Sequence, residues 1–198
     1  MDYGYGVPAD ERSAGGVRRR LLLSKEFLRA VQMRAARGAM GASSMRGGGN
    51  KRVAEAGREF LGELDLRRFG TDRKRRFVGA LDDATEALRT SFPRKARHWG
   101  LARKGLNIFL RNCLYPVYLS DAYSLDRAEA FFEVPLDSLT GDELYRASAE
   151  TLPRWKTIRG LTPEVSALFQ TVAASVAAER RMARVHLDAV WWGVRGEL

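Results

Sequence analysis

The sequence predicts an all-α fold. Apolar residues recur at three- and four-residue spacing in one segment after another. Alternating strand patterns and internal repeats are absent. Prolines and short polar residues stand where the periodic segments begin, as they do at helix starts. The chain has 198 residues, the length of one domain or of one domain with an arm, and its 45% hydrophobic fraction suffices for a core.

The elements follow in chain order. Residues 1–16 are Gly-rich and weakly patterned and read as a mobile start. Residues 17–37 read as a helix, with Leu21, Leu22, Phe27, Leu28, Val31 and Met33 set among arginines. Gly38 to Asn50, with four further glycines, reads as a flexible loop whose flanking Arg46 and Lys51 can touch phosphate. Residues 1–50 are therefore expected to be a mobile basic segment with one helix, ahead of a main domain over 51–198. Residues 51–69 read as a second helix. Thr71-Asp72 is a cap signal for a third, running to about Thr90, with Phe77, Leu81, Ala84 and Leu88 on one face.

Pro93 interrupts the pattern, and residues 101–115 resume it with Leu101, Ile108, Phe109 and Leu114. Pro116 to Phe132 reads as a connection with one short helix at Asp126–Phe131. Asp137 or Ser138 caps a helix over 138–150, and Pro153 opens another turn. Thr162-Pro163 starts a long helix to about Arg180, with proline at its first position. A last helix covers 182–193.

Charge and composition narrow the function classes. Lysine plus arginine total 34 against 24 acidic residues, a net charge of +10, which favours a polyanionic partner and most simply nucleic acid. Of the 34, 28 are arginine, a preference that genome composition alone can produce. The single cysteine, Cys113, excludes a disulfide framework and a Cys-rich zinc or iron–sulfur site. His98 and His186 are the only histidines, too few for a multi-histidine metal centre. Arg18-Arg19-Arg20 before Leu21-Leu22-Leu23 imitates the start of a signal peptide, but the apolar run stops at Ser24-Lys25-Glu26. No run is long enough to span a membrane, and the expectation is a soluble intracellular protein.

The segment His98-Trp99-Gly100-Leu101-Ala102-Arg103-Lys104-Gly105-Leu106-Asn107 concentrates the chemistry. A tight glycine-containing turn opening a helix presents backbone N–H groups that hold a phosphate, helped by the positive helix end. Lys104 lies in the first turn, where a cation opposes the helix dipole. An amine desolvated among apolar residues is more readily neutral and nucleophilic; an ordinary solvated lysine is the plainer reading.

This segment resembles the hairpin of the helix-hairpin-helix DNA glycosylases, whose pattern runs Leu-Pro-Gly-Val-Gly-x-Lys-Thr-Ala-Asn. Gly100 falls on the first hairpin glycine, Lys104 on the Schiff-base lysine and Asn107 on the later asparagine. Val134-Pro135-Leu136-Asp137 matches the family's Val-Pro-Val-Asp, which leads into a helix and carries the catalytic aspartate. Ala102 stands in place of the second glycine, Gly105 in place of threonine, and Ser138-Leu139 where Thr-His is common. Lys104 and Asp137 are 33 residues apart, a long connection of the kind found in the archaeal 8-oxoguanine DNA glycosylase branch. That branch also carries an Asp and a Trp four residues apart on a C-terminal helix that line the base pocket, as Asp188 and Trp192 are spaced here.

The resemblance covers roughly residues 95–195. It implies a compact all-α fold built around a helix-hairpin-helix element, and a DNA glycosylase with AP lyase activity that acts in base excision repair. A damaged or modified base, 8-oxoguanine first, would be flipped out of the duplex and excised. Lys104 and Asp137 would be catalytic. Gly100, Leu101, Ala102 and Arg103 would meet the DNA backbone, and Asp188 and Trp192 would hold the base. Phe169 and Gln170 offer a stacking ring and an amide for a base edge, beside a core role for Phe169. No metal or organic cofactor is called for. Double-stranded DNA would be the partner of a cytoplasmic, nucleoid-associated monomer.

Each residue also has a plainer role. Asp137 can be only a helix cap, Asp188 can pair with Arg184 one turn back, and His186 suits packing. Of the adjacent Trp191 and Trp192, about 100° apart around a helix, one is expected in the core and one at a stacking surface or helix end. Lys156, following Trp155, is a rival nucleophile without a proline–aspartate after it. The competing functions are a non-catalytic helix-hairpin-helix DNA-binding module, a base-hypermodification enzyme on the same scaffold, and an α-helical regulator. Only the enzymatic readings need Lys104 and Asp137 on one cleft.

Overall fold

The computed structural model describes residues 23–42, 44–45 and 50–195, and every regular element among them is a helix. The α-helices are α1 (Lys25–Ala39), α2 (Lys51–Glu63), α3 (Lys74–Ser91), α4 (Trp99–Leu114), α5 (Val117–Tyr123), α6 (Ser138–Ala147), α7 (Pro163–Glu179) and α8 (Leu187–Arg195). Short 3-10 turns lie between them.

Helix α4 is the centre of the molecule, and its composition says why. Leu101, Leu106, Phe109, Leu110 and Cys113 point to several sides and all are buried. A helix that is apolar nearly all round has to be covered on every face. Helices α1 and α3 cover two of them. α1 presents a face of small residues, Ala35, Ala36 and Ala39, which allows close approach. Gln32 ties α1 to the end of α2, its buried amide donating to the carbonyls of Leu61 and Leu64. The described part of the first 50 residues thus belongs to the common core, and residue 50 is not a packing boundary. Residues 1–22, expected as a mobile start with the beginning of a helix, lie outside the described residues, as does Arg46.

Charge as well as apolar contact holds α4 in place. Arg103, 6% exposed, donates to Glu133 at 2.9 Å, to Asp82 of α3 at 2.9 Å and to the Thr85 hydroxyl at 2.8 Å. Asn107 donates to the same Glu133 carboxylate at 3.0 Å. One buried cation so fixes α4 to α3 and to the segment that leads into α6.

Several boundaries differ from the sequence pattern for local reasons. α2 ends at Glu63, and Asp65 caps a separate 3-10 turn by accepting from the Arg67 N–H. α3 begins at Lys74, with Arg73 at its cap position; Thr71 instead accepts from the Arg73 N–H, and Asp72 pairs with Arg127. Pro116 starts a further helix, α5, inside the stretch read as a connection. α6 stops at Ala147 because Ala149 and Glu150 turn the chain through left-handed backbone, φ 53° and 64°. Thr162 and Pro163 open α7 as the sequence indicates, with the Thr162 hydroxyl accepting from Val165. Among the described residues no helix is long and apolar enough to cross a membrane.

Candidate functional site

A cavity of about 970 Å³ opens between α4, α6, α8 and the segment that joins α6 to α7. Its lining includes Lys104, Asp137, Asp188, Trp192 and Phe169, contributed by α4, the cap of α6, α8 and α7. Residues far apart in the sequence therefore meet on one surface. The volume is of the order that encloses a small ligand or a nucleotide.

Lys104 lies one turn along α4 from Gly100 and is 9% exposed. Ile108 and Arg111 continue the same helical stripe into the cavity. Asp137 sits at the cap of α6 in extended backbone, and its carboxylate accepts from the Thr140 N–H at 2.9 Å. The capping role and the position on the cavity are compatible: one oxygen serves the helix while the side chain, half-buried, lines the opening.

Asp188 occupies the first turn of α8, 3% exposed. It forms an ion pair with Arg111 of α4 and not with Arg184. Arg184 is used elsewhere, donating to the carbonyls of Phe131, Phe132 and Gln170. Burial pushes the Asp188 carboxyl up to about 6; Arg111 opposes this shift and the charge of Asp137 adds to it. One Asp188 oxygen and the Arg111 Nε are buried without a hydrogen-bond partner among the described residues.

The aromatic residues divide by depth. Trp191 is half-buried against the core under Arg180, while Trp192, 52% exposed, stands at the cavity rim. Phe169 is 1% exposed and meets the Trp155 ring edge-on, 4.6 Å between centroids. Core packing and cavity lining are both its work.

Two expectations are corrected. Gln170 does not offer an amide to a ligand: its oxygen accepts from the Val134 N–H at 3.1 Å and its nitrogen donates to the Val134 carbonyl at 2.8 Å. It holds the extended segment that delivers Asp137. Gly100, Leu101, Ala102 and Arg103 do not form an exposed turn: they lie within the first turns of α4 and all are buried. The Gly100 backbone meets the 158–161 segment so closely that a Cβ would stand 2.3 Å from the Ile158 carbonyl. Arg103 is committed to Glu133, Asp82 and Thr85, so none of the four is presented to a phosphate.

The cavity also holds residues that the motifs do not indicate. Arg111 is one, and its place seven residues after Lys104 on an α-helix is a signal the sequence contains. Trp155, Lys156 and Arg154 reach the cavity from the connection after α6, and Arg154 lies over the Tyr145 ring at 4.0 Å. His186 lies outside this set, hydrogen-bonded to Glu129 at 2.6 Å and to the Tyr115 hydroxyl at 3.2 Å.

Comparisons with protein-family models, with curated proteins and with solved structures return no significant match.

Proposed function

We propose that the protein is a DNA glycosylase with lyase activity, and that the cavity receives a base flipped out of duplex DNA. The observation that carries the reading is that Lys104 and Asp137 line one cavity although α5 and a 3-10 turn separate them in sequence. An amine and a carboxylate on a partly apolar surface suit attack at a sugar carbon. A non-catalytic DNA-binding module has no need of that pair, nor of a cavity between them.

The chemistry is written with these side chains. The glycosidic C1′–N bond breaks and its electron pair leaves with the base, which takes up a proton. Positive charge develops on the sugar, and the Asp137 carboxylate stabilises it. The Lys104 amine, once deprotonated, forms a bond to C1′ and passes a proton to the departing base; the ring C1′–O4′ bond then breaks, O4′ takes up a proton, and a Schiff base remains. The Schiff base allows elimination of the 3′ phosphate, which cuts the strand. The net charge of +10 suits a polyanionic substrate. Oxidised purine, with 8-oxoguanine first, is the substrate to test.

The test is incubation with a panel of lesion-bearing duplexes in the presence of borohydride. Reduction of the Schiff base leaves a stable covalent complex, visible as a mass shift. Wild type is expected to form it, and Lys104→Gln is expected to bind duplex without forming it. Absence of both a trapped complex and base release across the panel overturns the reading.

A further inference from the structure

We infer that Trp155, not Trp192, is the surface on which a planar heteroaromatic base stacks in this cavity. The inference deepens the glycosylase reading and rests on the cavity being a base site.

Two glycines carry the argument, because each is a place where a backbone is cut away for a neighbour. Gly100 lies four residues before Lys104 on α4, and a Cβ there would collide with the Ile158 carbonyl at 2.3 Å. Gly141 lies four residues after Asp137 on α6, and a Cβ there would come within 2.6 Å of the far edge of the Trp155 indole. The two reactive candidates are thus each followed or preceded, one helical turn away on the same face, by a glycine that receives the 155–161 segment. That segment is drawn across the cavity by contacts at both ends.

Trp155 is the aromatic ring this arrangement holds most firmly. Its benzo edge rests on Gly141, and Phe169 meets it at 81° from the side. It remains half-buried with part of its surface on the cavity. Asp137, Gly141 and Tyr145 follow at four-residue spacing on α6 and all line the same cavity. The glycine on which the ring rests therefore lies one turn along α6 from Asp137. Trp192 is 52% exposed at the rim and no ring packs against it among the described residues. A stacking ring fixed in advance loses little freedom when a base settles on it, so the clamped Trp155 is the better platform.

The test measures binding of a free base, which requires no bond breaking. The probe is 2-aminopurine, retained by the protein in equilibrium dialysis and read by its own emission. Trp155→Leu is expected to weaken its binding roughly five- to hundred-fold, the range set by loss of one base–aromatic stack, whereas Trp192→Leu leaves it within about threefold. Trp155→Phe, which keeps a ring, is expected to restore most of the affinity. Gly141→Ala is expected to mimic Trp155→Leu by displacing the indole, with an unchanged unfolding midpoint for Trp155→Phe marking the fold as intact. Retained affinity in Trp155→Leu, or loss in Trp192→Leu alone, or no saturable binding by wild type, overturns the inference. The two readings separate cleanly. Trp155-dependent binding with neither a borohydride-trapped complex nor base release across the panel supports the platform and overturns the glycosylase. Trapping that is equally efficient in Trp155→Leu, at unchanged KM, supports the glycosylase and overturns the platform.

Discussion

Arg111 of α4 and Asp188 of α8 form an ion pair in the wall of the cavity, joining the central helix to the last one. The pair is buried enough that the carboxylate, whose ordinary value is 3.8, is pushed up to about 6 by desolvation in spite of the arginine. The folded protein therefore holds a proton on Asp188 at pH values where the unfolded chain has released it. The resulting stabilisation is complete below about pH 4 and is lost as the pH rises through about 6. Its size is on the order of 2–3 kcal/mol, from the value of a pKa shift of this extent. Urea unfolding of wild type and Asp188→Asn from pH 4 to 7 measures it. The wild-type curve should fall relative to the variant across that window; parallel curves would remove the claim.

Arg103 should prove to be structural. Its side chain is 8% exposed and Glu133 is 13% exposed, so removing the guanidinium leaves a nearly buried carboxylate without its cation. Arg103→Ala is expected to cost about 3–5 kcal/mol in unfolding free energy, as broken buried pairs do. Arg127→Ala is the comparison. The Arg127–Asp72 pair is half exposed, and its loss should cost under about 1 kcal/mol. Denaturant titration of both variants decides it, and near-equal losses would refute the assignment.

Asp137 caps α6, and on the glycosylase reading it would also act on the substrate; substitution can separate the two. Its carboxylate accepts from the Thr140 N–H, and asparagine offers the same acceptor. Asp137→Asn should therefore lose only a few tenths of a kcal/mol of stability, and Asp137→Ala about 1 kcal/mol. On the glycosylase reading, base release should fall by about a hundredfold or more in both, because neither keeps the charge that would stabilise the sugar cation. Equal activity of Asp137→Asn and wild type, at equal stability, would leave Asp137 as a cap alone.

What the sequence disclosed and what it hid follow from the range of the forces involved. Thr162-Pro163 and Asp137 announce α7 and α6 because capping is satisfied within four residues. The cavity's polar members were legible as types at helical spacing, Lys104 on one helix and Asp188 with Trp192 on another. The state of residues 100–103 was not legible, since a glycine followed by basic residues reads equally as an exposed turn or as a notch for a neighbour. Ile158, more than fifty residues on, decides it. Gln170 was hidden for the same reason, because the backbone of Val134 that consumes its amide is distant in sequence. Local patterns fix local geometry; which polar groups stay available is fixed by partners that only the fold brings near.

Glycine substitutions test that last point directly. Gly79 lies inside α3 on an exposed face, and a Cβ added there would have nothing within 4 Å. Gly79→Ala should therefore gain roughly 0.5–1 kcal/mol from helix propensity alone. Gly100 is also helical, and propensity would favour alanine there by the same amount. Yet its added methyl would stand 2.3 Å from the Ile158 carbonyl and 2.7 Å from the Leu161 Cβ, against backbone that cannot swing aside. Gly100→Ala should therefore lose about 1–3 kcal/mol, as overpacked sites do. In a chain of this size that corresponds to a midpoint roughly 2–4 °C lower per kcal/mol. Because the displaced segment carries Trp155 across the cavity, binding of 2-aminopurine should weaken in Gly100→Ala and stay unchanged in Gly79→Ala. Thermal midpoints that rise in both variants would mean that the 158–161 segment is not held against α4, and the cavity would lose one of its walls.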